Sequence, residues 1–236
     1  MEGRSTTDQI FTLRQILQKC REHQVPGVVG CIDSTHIPIL RPTKDEHMYF
    51  NRKGFHSINA MIVNTDHNYR ILAINPRFGG AAHDSFVWDM SAEREFFEEN
   101  FRNGESRLLG DSGYCLAPWL LTPYRNAYYG SGEEKFNSIH STARCSVERG
   151  IGVLKSRWRC LSSDRKLRYS PKKITAIINV CCALQNMCIA YNVAFDLDYM
   201  LLPADQLSVT AEMRNDSVLD RRAQRIRDAI RDSLLD

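Results

Sequence analysis

Polar and apolar positions change period several times along the chain, and each change marks an element. Between 7 and 23, Ile10, Leu13, Ile16 and Leu17 recur at helical spacing, so a lone amphipathic helix is expected ahead of the first strand. Past Pro26-Gly27 the pattern becomes β-like: Val28-Val29 on one side and Ile37, Ile39 and Leu40 on the other bracket Gly30 to His36. Ser57 to Thr65 is apolar on both faces, as a central strand must be. Asp66-His67-Asn68 turns the chain into a strand from Tyr69 to Asn75 that ends at Pro76. Gly79-Gly80 gives a flexible approach to His83-Asp84-Ser85, where Asp84 or Ser85 can cap a helix over about 84 to 101. Arg107 to Tyr114 reads as a short apolar strand delivering Asp111 at its end, and the segment PWLLTP, 118–123, as a candidate further strand.

The best helix is expected over 137–161, with Val147, Ile151, Leu154 and Trp158 on one face. At 100° per residue from Glu148, Lys155 falls near −20°, Arg159 near +20° and Gly152 near +40°, so a carboxylate and two cations share a second face. Residues 171–192 start with Pro171 and are apolar over most of their circumference, which predicts a largely buried helix. A loose polar stretch, 204–217, precedes a charged helix over 218–234 whose packing edge is Leu219, Ile226, Ile230 and Leu234. The expected organisation is an N-terminal helix in 1–26, one catalytic domain over 27–195, and a polar linker with the charged helix in 196–236.

Composition narrows the class only slightly. The 236 residues are 43% hydrophobic, enough for a real core, and the net charge of +3 is too small to argue for nucleic acid by itself. Eight cysteines without CxxC pairs, and no apolar run expected to span a bilayer, favour a reducing compartment and no membrane. Cys181 and Cys182 read as small buried hydrophobes, and neither disulfides nor a zinc cluster is expected.

The chemistry rests on three acids. Asp33 interrupts an apolar strand, where an ionised carboxylate costs several kcal/mol unless a metal or a basic partner neutralises it; a turn with Ser34 and Thr35 at the strand's exit is the bland alternative. The element order is strand with Asp33, two further strands, helix, strand with Asp111, helix with Glu148, and it predicts an α/β sheet in which the fourth strand returns beside the first. Asp33, Asp111 and Glu148 can then meet at one sheet end. Three such carboxylates are tolerable chiefly around divalent cations, and oxygen-only ligands favour two Mg²⁺ or Mn²⁺ ions, which support in-line phosphodiester chemistry. Lys155 and Arg159 would hold phosphates.

At this point the sequence resembles the PIF/Harbinger DDE transposases and the Harbinger transposase-derived nucleases. The blocks that carry the resemblance are GCIDSTHIPI (30–39), YFNRKGFHSINAMIV (49–63), HDSFVW (83–88), LLGDSGYCLAPWLLTPY (108–124), FNSIHSTARCSVERGIGVLKSRWRCL (136–161) and YSPKK followed by VCCALQNMC, together covering roughly 27–192. The resemblance implies an RNase H-like, mixed five-stranded sheet flanked by helices, the core of DDE transposases and integrases, with Asp33, Asp111 and Glu148 as the metal-binding and catalytic triad. It implies a nuclease acting on DNA, with strand transfer as a further activity open to it, located in the nucleus, with the cytoplasm as a second location open to it. A Myb-like DNA-binding protein is the implied partner, and an oligomer is compatible with it. The alternative is a catalytically silent binding module. Ala60-Met61, Ala143 and Gln185 stand where the family more often has Gln, Thr and His.

Smaller candidates complete the set. Asp84, beside His83, is a rival second acid or a helix cap. His36 could contact a phosphate or order Asp33, or be a hydrogen-bonded structural histidine. Arg52, Lys53 and His56 with Tyr49, Phe50 and Phe55 mix cations and aromatics as a DNA-binding surface does, and as a solvated bend does too.

Overall fold

The structure is a computed structural model and describes residues 27–64, 69–104, 106–193 and 220–234. The expected helix at 7–23, the turn at 66–68 and the stretch 204–217 lie outside those residues.

Five strands form one mixed sheet: β1 (Val28–Pro38), β2 (Ser57–Asn64), β3 (Ile71–Gly79), β4 (Arg107–Leu109) and β5 (Leu120–Leu121), in the order β3-β2-β1-β4-β5. β1, β2 and β3 pair antiparallel, whereas β4 lies parallel to β1 and β5 parallel to β4. The return of the fourth strand to the first is therefore as the element order predicts. β2 is buried along its whole length, in keeping with its two apolar faces.

Alternation sorts the two faces. Ile37, Ile39, Ile58, Ala60 and Ile62 pack with Leu154 of α3 (Gly132–Arg157) and with Ile174, Ile178, Cys181 and Cys182 of α4 (Pro171–Ala190). Ile32, Met61, Val63 and Leu108 face the other way, onto Val87 and Trp88 of α1 (Asp84–Asp89) and Phe97 of α2 (Ala92–Gly104). Cys31 and Leu109 meet Val147 of α3, and α5 (Arg221–Ser233) joins that same cluster through Ala223 and Ile230. The charged C-terminal helix is thus built into the domain's core. Its Arg227 stacks 3.8 Å over the Tyr124 ring, whose hydroxyl donates to Asp228 at 2.6 Å.

Several boundaries differ from expectation for local reasons. The single helix expected over 84–101 is two, because Ser91 Oγ donates to the Trp88 carbonyl (2.7 Å) and accepts from Arg94 N (3.1 Å), closing one helix and capping the next. β3 does not stop at Pro76. It is an edge strand, where a missing N–H is tolerated, and the Pro76 carbonyl accepts from Thr175 of α4 (2.8 Å). The Gly79-Gly80 pair is close-packed, and a Cβ at Gly79 would collide with the Met48 carbonyl. α3 begins five residues earlier than predicted, at Gly132, because Ser131 and Glu134 form a capping box: Ser131 Oγ accepts from Glu134 N (3.2 Å), and Glu134 accepts from Gly130 N.

α4 is less buried than its composition suggests. Val180, Leu184, Met187 and Tyr191 are exposed at 57, 36, 53 and 77%. By length and composition alone this helix could cross a membrane, contrary to the expectation that no run would. Its other side is tied to the sheet edge, where the Asn186 amide closes both the N–H and the C=O of Ile71 at 2.9 and 2.7 Å.

Candidate active site

Asp33 sits in the middle of β1 rather than at its exit, since the strand continues to Pro38. Its neighbours in alternation, Cys31 and Ile37, belong to the clusters under α3 and α4, so its carboxylate faces α3. The parallel β1–β4 register ends with Cys31 paired to Leu109, and Gly110 N donates to Leu121 O (3.0 Å) on the other side, continuing the β4–β5 ladder one step. Asp33 and Asp111 each stand two positions past that last pair, and the negative charge of Asp111 acts on the Asp33 carboxyl. Asp111 then turns the chain: its Oδ1 accepts from Gly113 N (2.8 Å), and its carbonyl from Tyr114 N (3.2 Å).

The Asp33 carboxyl is raised from 3.8 to about 7, chiefly by burial, with Arg144 and the Ser34 N–H pulling it down and the negative charges of Asp111 and then Asp84 adding to the rise. Asp33 Oδ1 accepts from Ser34 N (2.8 Å), and its Oδ2 lies 3.3 Å from Arg144 Nη2. Both side chains are largely covered, at 18 and 14% exposure.

Arg144 and Tyr114 were not singled out from the sequence. The signal for Arg144 was present, since it stands one helical turn before Glu148, about −40° on the wheel that placed Lys155. Tyr114 is buried, with its hydroxyl 3.4 Å from Ser34 Oγ, and burial together with Asp84, Asp33 and Asp111 raises its pKa well above 10. Three acids thus act on one phenol from around β1.

Glu148 is half-buried on α3, between Arg144, which reaches Asp33, and Lys155, whose Nζ donates to the His36 carbonyl (3.2 Å). It therefore lies on the face of α3 turned toward β1. Among the described residues, no three His, Cys, Asp or Glu side chains are gathered as a ligand set. Arg159 does not share that face: α3 ends at Arg157, Trp158 leaves helical geometry at φ −107° and ψ 77°, and Arg159 is exposed in a separate 3-10 turn, Arg159–Leu161.

Asp84 is on the opposite side of the sheet. It is the first residue of α1, behind an N-cap at His83, and its Oδ1 accepts from Asn59 Nδ2 (2.8 Å). Neither Asp84 nor Ser85 is the cap, and His83 is exposed. His36 also points away from Asp33, with Nδ1 2.9 Å from Ser57 Oγ and its ring edge-on to Phe55. Burial, with the charges of Lys53, Lys155 and Arg52 adding to it, lowers its pKa to about 4. The histidine therefore does not order the carboxylate. It reports instead that three of the four expected DNA-binding cations converge on this end of β1. The bend that carries Arg52 and Lys53 is held by Asn51, whose Oδ1 accepts from Lys53 N (3.0 Å) and Phe55 N (3.2 Å).

A mixed sheet with this strand order, an acid in mid-β1, another just past β4, and a glutamate on the helix packed against them is the arrangement of a class of phosphodiester-cleaving fold. The family model described as DDE superfamily endonuclease matches residues 32–186, and the chain belongs to that family and has its RNase H-like fold. The proteins named "Putative nuclease HARBI1" from Bos taurus and Homo sapiens are each 33% identical over 204 residues, covering 86% of this chain and 57% of their own lengths. "Protein ALP1-like" from Arabidopsis thaliana is 28% identical over 232 residues, covering 89% of this chain and 54% of its own. The chain spans a little over half the length of these curated relatives. No solved structure matches it.

Proposed function

We propose that the protein is a divalent-metal-dependent DNA endonuclease, with Asp33, Asp111 and Glu148 as its catalytic carboxylates. The observation that supports this reading is the parallel β1–β4 register, whose last pair, Cys31 with Leu109, stands two positions before both Asp33 and Asp111 and packs against Val147, the residue before Glu148 on α3. The donor chemistry fits Mg²⁺ or Mn²⁺: all three groups offer oxygen only, and a largely covered carboxylate beside another acid calls for a cation. Two such ions, when bound, would activate a water or 3′-hydroxyl and stabilise the leaving oxygen. The protein's own contribution is to orient the acids from a rigid strand and helix and to present Lys155, Lys53 and Arg52 to phosphate. Arg159, on its separate turn, is left to a peripheral phosphate contact. Strand transfer uses the same site with a 3′-hydroxyl in place of water.

Nicking of supercoiled plasmid in Mg²⁺ or Mn²⁺, compared with the Asp33→Asn, Asp111→Asn double variant, tests the reading. Metal-dependent nicking lost in the double variant supports it; equal nicking by both, or none by either, refutes it.

The second reading is a catalytically silent module that binds DNA with a Myb-like partner in the nucleus, favoured by the engagement of Asp33 with Arg144. On α5 such a partner would meet Arg221 and Arg225, because Arg222, Arg227 and Arg231 lie over the Phe101 and Tyr124 rings.

A further inference from the structure

The carboxylate site already contains a cation supplied by the chain. Arg144 Nη2 lies 3.3 Å from Asp33 Oδ2, and both side chains are mostly withdrawn from water. A guanidinium has five donors, and a structural arginine at this depth normally spends most of them. Here the contact with Asp33 is the one ion pair recorded for Arg144 among the described residues, and its Nε is buried without a hydrogen-bond partner. A bidentate fork would place two donors on the carboxylate, so this pairing is an incomplete one. Arg144 also stands one turn before Glu148 on the same α3 face, so the cation and the third acid approach β1 from one surface. Among the described residues no three acids are drawn together.

We propose that Arg144 is a resident counter-charge: it holds Asp33 while no divalent ion is bound and gives up the carboxylate when one binds. The inference rests on the metal-dependent reading above. Neutralising Asp33 internally lowers the cost of a bare carboxylate in a covered site near the charge of Asp111, and leaves a single ion pair to be exchanged. Arg144 is therefore a positioning residue that competes with the metal, in contrast to a ligand-supporting residue, whose removal would weaken binding.

The test is Mn²⁺ binding to the full chain, by calorimetry and by electron paramagnetic resonance of free Mn²⁺, for the wild type, Arg144→Gln and Arg144→Lys. Circular dichroism checks that each variant is folded. Arg144→Gln should bind Mn²⁺ at least tenfold more tightly than the wild type, and Arg144→Lys, which keeps the charge, should stay near wild type. In Arg144→Gln the melting temperature without metal should fall, and Mn²⁺ should raise it by more than in the wild type. Binding by Arg144→Gln with none by the wild type also supports the proposal. Equal or weaker binding by Arg144→Gln, with the wild type binding normally, overturns the counter-charge and leaves the metal-dependent reading standing. No binding by any of the three overturns both.

Discussion

The buried histidine of α3 makes the fold sensitive to acid in a way that can be isolated. His140 is 4% exposed, donates from Nε2 to the Leu121 carbonyl (3.2 Å) and lies beside the Phe136 ring. Burial lowers its pKa from 6.5 to about 4, against the raising effect of the Leu121 backbone, with Arg144 and Arg227 adding to the lowering. A depressed histidine stabilises the fold fully above its unfolded pKa of 6.5, and that contribution is lost as pH falls toward 4. At 1.36 kcal/mol per tenfold, the loss is about 2 kcal/mol by pH 5 and about 3 when complete. Asp33 acts with the opposite sign. Its carboxyl, raised to about 7, opposes folding when ionised, so acidification from 7 toward 3.8 relieves that opposition. The wild-type curve is the sum of these and of His36, which follows His140. The difference between wild type and His140→Gln removes the shared terms. Urea unfolding in EDTA, followed by circular dichroism at about pH 7.5, 6 and 5, should show wild type favoured at pH 7.5 and that advantage shrinking by about 2 kcal/mol at pH 5. A difference that stays constant within about 0.5 kcal/mol would refute the reasoning, since the site would then admit the charged ring at little cost.

Three further outcomes follow from the packing and the charges. Leu154→Ala, at a position 1% exposed between β1, β2 and α4, should destabilise the protein by about 2 to 5 kcal/mol in the same denaturation assay. Ser131→Ala removes the acceptor for Glu134 N and should cost about 1 kcal/mol, with Ser131→Asp close to wild type. Lys155→Ala should weaken binding of DNA of any sequence and lower the slope of log affinity against log salt by about 0.9; an unchanged slope would place this residue away from phosphate.

What the sequence revealed was set by periods and by element order. β2 was legible because both of its faces are apolar, and the return of β4 beside β1 followed from counting strands. Boundaries were harder where one side chain overrides a period. Ser91 divides α1 from α2 through two hydrogen bonds in the middle of an apolar pattern, and Trp158 ends α3 while the wheel still runs on to Arg159. Pro76 looked like a stop because its place on an edge strand is a tertiary fact. The exposed side of α4 was hidden for a related reason: an apolar circumference says which residues can be buried, and only the neighbours decide which are. Arg144 went unread although its spacing was visible, because a cation one turn from a glutamate ordinarily reads as a helical salt bridge, whereas here it is turned onto β1.

The site lies where it does because β1 outlasts its parallel neighbour. β4 leaves β1 at Cys31, while β1 continues beside β2 to Pro38, so from Ile32 onward β1 has a strand on one side alone. Main-chain groups on the open side need partners, and Lys155 supplies one by reaching the His36 carbonyl. The same opening keeps Asp33, although mid-strand, 18% exposed and thus reachable from outside. A crevice beyond the carboxyl end of a parallel strand, at the point where strand direction changes, is where open α/β sheets take ligands. On the proposed reading, Asp33 of β1 and Asp111 of the turn after β4 serve that place, with Lys155 of α3 beside it. That pairing of signs would suit the proposed phosphodiester substrate, whose oxygens need positive charge on the flanks.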